Sequence, residues 1–284
     1  MVDNTVKNTS GFPHPSGAAE YQPGRPAYAL SPDGTHIAYE HCGAGPVLVL
    51  LHGGGGSRRE WYQAGYVERL RKHFTVITID LRGHGESDLP TAPSAYTIEK
   101  MEQDILAVAD ACGVERFTLW GMSYGGKVGR YLAVHSPRVE KFIMLGTPLG
   151  LGVSGEQRQA ALDFCAHWPA ILRALQAGCV DISSLSPGDQ QALASLHVPA
   201  MLGWVQAMLD WPSVEPAHFR CPTLYLAGSE DQHALESLRE YAASIPGSML
   251  QVHIVAGVDH EQLFDEIERA FPILFAFTQS SKDS

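Results

Sequence analysis

Ser123 sits at the middle of Gly121-Met122-Ser123-Tyr124-Gly125-Gly126. An apolar, β-forming run (117–120) precedes this motif, and Val128, Tyr131, Leu132 and His135 follow it at helical spacing. The pattern predicts strand, sharp turn and helix, with the serine at the apex. Glycines two positions to either side let strand and helix pass closely, because neither carries a Cβ. A serine hydroxyl is a weak nucleophile until a base takes its proton and a third group holds that base. Ser123 is therefore the expected attacking atom's carrier, and two partners are to be found.

The base must lie on a loop at the same edge of the sheet. With 13 histidines in the chain, residue type alone selects nothing. His260 is selected by place, since it follows the last strand-like run directly in Ala256-Gly257-Val258-Asp259-His260. The carboxylate belongs on the loop after the preceding strand, where Gly228-Ser229-Glu230-Asp231 stands. Asp231 is the choice and Glu230 the adjacent alternative; its task is to stay ionised and fix the histidine tautomer. Earlier in the chain, His52-Gly53-Gly54-Gly55-Gly56 ends an apolar run (47–51). Such a turn leaves backbone N–H groups open to an oxyanion, and it has neither signature of a phosphate loop.

Bringing these residues to one edge requires alternating strands and helices. Strand-like runs fall at 47–51, 74–79, 117–120, 139–145, 223–227 and 249–255, after an opening hairpin turned by Ser31-Pro32-Asp33-Gly34. Helical patterns fall at 59–72, 96–112, after Ser123, 233–243 and 261–277. Between about 149 and 219 the strand signal is lost and helical stretches appear at 156–177, 188–196 and 199–210. The expected architecture is α/β: a mostly parallel central sheet flanked by helices, with an inserted helical cap. The expected division is a flexible tail over 1–27, a core over 28–148 and 217–284, and the cap over 149–216.

Composition narrows the function classes. A net charge of -11 without a basic run argues against nucleic-acid binding. The 5 cysteines are dispersed with no C-x-x-C pair, which points to reduced thiols and a cytoplasmic address. No secretory signal, membrane span or zinc-type ligand spacing is read from the sequence.

The order Ser, Asp, His, together with the His52-Gly53-Gly54 turn, the 80–87 stretch and Gly257-x-x-His260, resembles the α/β-hydrolase-fold serine hydrolases over roughly 30–148 and 217–280. The resemblance implies a Ser123–Asp231–His260 triad and an oxyanion hole from the amides of Tyr124 and Gly54, with Gly53 as the alternative donor. It implies a small-molecule substrate and no cofactor or metal. The expected reaction is cleavage of a small or medium ester, lactone or related carbonyl compound through an acyl-enzyme on Ser123. Carbon–carbon bond hydrolysis, aminopeptidase activity or acyl transfer on the same triad are alternatives, as is a ligand-binding sensor with little turnover. Trp61, Trp168, Trp204 and Met208 are the nominated substrate-pocket residues, and they read equally well as core. Lys127 reads as a helix-surface lysine, and Arg82, His84 and Glu86 as residues that shape a loop near the site.

Overall fold

In the computed structural model, residues 24–150, 153–247 and 249–279 are described. The strands are β1 (Ala27–Leu30), β2 (His36–Gly43), β3 (Val47–Leu51), β4 (Thr75–Ile79), β5 (Phe117–Met122), β6 (Val139–Leu145), β7 (Thr223–Gly228) and β8 (Leu250–Val255). They form one sheet in the order β1-β2-β4-β3-β5-β6-β7-β8. The β1–β2 and β2–β4 pairs are antiparallel, and every later pair is parallel. Residues 1–23 of the expected tail lie outside the described residues, and Ala27 already pairs in β1.

Continuous apolar strands make sense because the sheet is covered on both faces. On one face lie Val49, Leu51, Leu119, Phe142, Met144 and Tyr225; on the other lie Leu48, Leu50, Trp120, Ile143, Leu145 and Leu224. The helices are α1 (Glu60–Gln63), α2 (Tyr66–Leu70), α3 (Ile98–Ala111), α4 (Tyr124–His135), α5 (Gly155–Gln176), α6 (Pro187–Ser195), α7 (Val198–Leu209), α8 (Gln232–Tyr241), α9 (Gln262–Asp265) and α10 (Ile267–Gln279). Helices α5, α6 and α7 all fall between β6 and β7.

Two expected helices are each divided. The 59–72 stretch becomes α1 and α2 because Gly65 adopts φ +79°, which halts one helix before the next starts. The last helix becomes α9 and α10, with Glu266 leaving helical geometry at ψ 42°.

Register sets which loops meet. Leu51 pairs with Gly121 and Met122 with Leu145, so the glycine turn and the Ser123 turn leave adjacent strands side by side. Gly228 pairs with Val255, which brings the Asp231 and His260 loops together. All four loops follow the carboxyl ends of parallel strands, where open α/β sheets place their ligand crevice.

Candidate active site

The turn at Ser123 is as tight as its sequence suggests. Ser123 has φ 47° and ψ -107°, and it is the one non-glycine residue at positive φ among those described. A Cβ on Gly125 would run into the carbonyls of Leu51 and His52, and one on Gly121 into the backbone of Gly125 and Gly126. The Ser123 hydroxyl lies 3.0 Å from His260 Nε2, and His260 Nδ1–H donates to Asp231 Oδ2 at 2.8 Å. Asp231 also caps α8, its Oδ1 accepting from the Ala234 amide at 3.0 Å. Burial pushes the Asp231 carboxyl up, but the hydrogen bonds from His260 and Ala234 outweigh this and hold it below the usual carboxylate range. Glu230, the alternative, is exposed.

The glycine turn borders this group. A Cβ on Gly53 would stand 3.9 Å from Ser123 Cβ, and one on Gly54 3.4 Å from Tyr124 Cβ. Among the described residues the amides of Gly54 and Tyr124 have no acceptor. His52 is fully buried, and burial pushes its imidazole down to about 4. Its Nδ1–H donates to the Gly53 carbonyl at 2.7 Å, while its Nε2 accepts from the Leu81 amide at 3.1 Å. The Gly53 carbonyl and the Gly54 N–H belong to one planar peptide unit, so His52 fixes the direction of that N–H. Glycines have no side chains to do so. In the sequence His52 is only the residue that ends an apolar run, because the partner that sets its tautomer, Leu81, is 29 residues away.

The nominated pocket residues separate. Trp204, on α7, meets the site: its Cη2 would lie 3.3 Å from a Cβ on Gly54, and its ring contacts Tyr124 and His84. Trp61 does not. It is fully buried on the opposite side of the sheet, edge-on to Tyr66, Trp120 and Phe264, because a wholly apolar environment is available there. Trp168 packs beside Phe164 and His167 on α5, and Met208 is buried in the main apolar cluster. Both are buried within the helical segment.

Arg58 and Lys127 are buried cations near the site. Arg58 is fully buried and donates to Glu40, Asp80 and Glu86, tying the glycine turn to the loop after β4. Lys127 is 6% exposed, not a surface residue, and its Nζ donates to Gln157 on α5 at 2.8 Å. Burial, with Arg130 nearby, pushes its amine down to about 7. Neither position carries a periodicity signal, because a single charged residue in a helix or turn is ordinarily solvated.

A strained serine turn, a histidine bridging it to a carboxylate and an eight-stranded sheet of this order define an α/β-hydrolase-type protein. The comparisons agree: residues 46–175 match the family model described as alpha/beta hydrolase fold, and the chain belongs to that family. It is 30% identical over 262 residues to a putative 2-succinyl-6-hydroxy-2,4-cyclohexadiene-1-carboxylate synthase of Bacillus subtilis, spanning 83% of this chain and 93% of that protein. It is 29% identical to the Yersinia pseudotuberculosis protein named as that synthase, over 87% of this chain and 90% of the relative. A solved hydrolase from Pseudomonas aeruginosa superposes with a TM-score of 0.71 at 26% identity, covering 91% of this chain and 100% of the other.

Proposed function

We propose that the chain is a serine hydrolase that cleaves a small or medium ester, lactone or related carbonyl substrate through an acyl-enzyme on Ser123. The observation that carries this reading is the continuous relay from the Ser123 hydroxyl through His260 to Asp231. Ser123 Oγ attacks the carbonyl carbon as its proton passes to His260 Nε2. Asp231, ionised, stabilises the imidazolium and keeps Nδ1 protonated. The carbonyl oxygen becomes an oxyanion held by the N–H groups of Gly54 and Tyr124, each such donor supplying ~3 kcal/mol of transition-state stabilisation. His260 returns the proton to the leaving alkoxide, takes one from water as that water attacks the acyl carbon, and then gives it to Ser123 Oγ as the Oγ–acyl bond breaks and the acid leaves. Residues 149–216 act as the cap that shapes the pocket. The dispersed spacing of the 5 cysteines supports a cytoplasmic setting.

A second reading draws on the relatives' names: the same three side chains serve a synthase rather than a hydrolase. Turnover of a panel of p-nitrophenyl esters of graded length, lactones, amides and diketones separates the two. Ester or lactone hydrolysis that falls at least ~1,000-fold in Ser123→Ala supports the hydrolase. Hydrolysis that survives the substitution, or none on any member of the panel, rejects it.

A further inference from the structure

A cavity of about 410 Å³ opens beside the glycine turn. Its floor includes Gly55, Gly56 and Glu60, its side His84, and its roof Met201 and Trp204 from α7. Ser123 and His260 are not in its wall; Trp204, against Gly54, is common to the cavity and the catalytic loop. The volume suits a small organic group.

Its wall holds Arg59 and Glu60. The adjoining Arg58 is shared by Glu40, Asp80 and Glu86, and Arg59 is paired with Glu86. Three carboxylates thus face two guanidiniums. Glu60 is a fourth carboxyl and forms no ion pair among the described residues; burial pushes it up to about 7. His84 adds an independent mark. It is 4% exposed, its Nδ1–H donates to the Arg82 carbonyl, and its Nε2 has no partner among the described residues. Burial and the neighbouring His52 hold this imidazole neutral, down to about 3, so Nε2 is a lone-pair acceptor without a donor. A carboxyl without an ion pair, an unused acceptor and a tryptophan face are together complementary to a cation that carries N–H donors.

We propose that this cavity is a subsite for a protonated amine carried by the substrate, with Glu60 as counter-charge, Trp204 as the cation–π face and His84 Nε2 as acceptor. That the amine belongs to the substrate rests on the hydrolase reading; the preference for a cation does not. An ester whose carbonyl sits at Ser123 extends its amine-bearing arm across the glycine turn into the cavity.

The test uses the full chain with Ser123→Ala, so turnover does not enter. Phenethylammonium, phenethyl alcohol and phenylacetate share a ring and differ in head charge, and calorimetry gives their affinities. The ammonium should bind about tenfold more tightly than the alcohol, with the carboxylate weakest, and Glu60→Gln in the same background should erase the difference. Equal binding by the ammonium and the alcohol, tighter binding of phenylacetate, binding of none of the three, or a folded Glu60→Gln protein that keeps the preference would each overturn the proposal. If Glu60→Gln does not fold, the three-ligand comparison decides alone. Fluorophosphonate labelling of the unsubstituted protein reports separately on Ser123. A serine that labels without an ammonium preference sinks the subsite and leaves the hydrolase reading intact.

Discussion

Ser123 is held where L-residues rarely sit, at φ 47°, and such strain costs ~1–3 kcal/mol. The surrounding strand and helix impose it to lift the hydroxyl toward His260. Ser123→Gly should therefore raise the thermal midpoint by an amount equivalent to ~1 kcal/mol or more while removing the nucleophile. A midpoint that falls would mean the turn is not strained. His52 makes the complementary case for a positioning residue. Without its bond to the Gly53 carbonyl, the Gly54 N–H loses its direction, and His52→Ala should lower kcat ~10- to 100-fold with KM little changed. Steady-state kinetics on p-nitrophenyl esters decide this, and a change confined to KM would contradict it. At this scale the sequence was most legible where geometry is local. Glycines flank the serine because backbone passes there, and that requirement is written within five residues. His52 acting through Leu81, and Arg58 shared by Glu40, Asp80 and Glu86, depend on distant segments and left no trace in spacing.

Among the elements, strands were readable because burial on both faces demands unbroken apolar runs. Helices were readable in place but not in continuity. Gly65 at positive φ divides α1 from α2, whereas a lone glycine in a helical pattern is ordinarily tolerated. The aromatic residues illustrate the same limit. Trp61 and Trp204 are alike in composition, yet one closes the core against Trp120 and the other leans on the glycine turn. Only topology distinguishes them. Trp61→Ala should cost ~3–5 kcal/mol of stability and leave relative rates across an ester series unchanged. Trp204→Ala should change those relative rates. Denaturant unfolding paired with the ester series checks both, and the opposite assignment would return Trp61 to the pocket.

Over the whole molecule, the sheet order brings the loops after β3, β5, β7 and β8 to one edge, and the buried imidazoles there tie stability to pH. Unfolded, His52 and His84 take protons near pH 6.5; folded, burial delays this to about 4 and about 3. Between those limits the unfolded chain binds protons that the folded one refuses, so stability falls as pH drops below about 6.5. By pH 5 each histidine accounts for a loss of ~2 kcal/mol. The fall in urea stability between pH 7 and pH 5 should shrink by about that amount in His84→Phe; an unchanged fall would show that His84 titrates normally. Fold class was legible at this scale, since strand–helix alternation survives in one dimension. The wall of the cavity was not, because α7 reaches it only through tertiary packing.

In the proposed mechanism one side chain becomes reactive through two others. Intact-mass and peptide analysis after exposure to a fluorophosphonate tests this most directly. We expect a single adduct on the peptide containing Ser123, formed rapidly in the unsubstituted protein and slowed at least ~1,000-fold in His260→Ala. Labelling at Ser123 that is indifferent to His260, or an adduct on another residue, would contradict the mechanism.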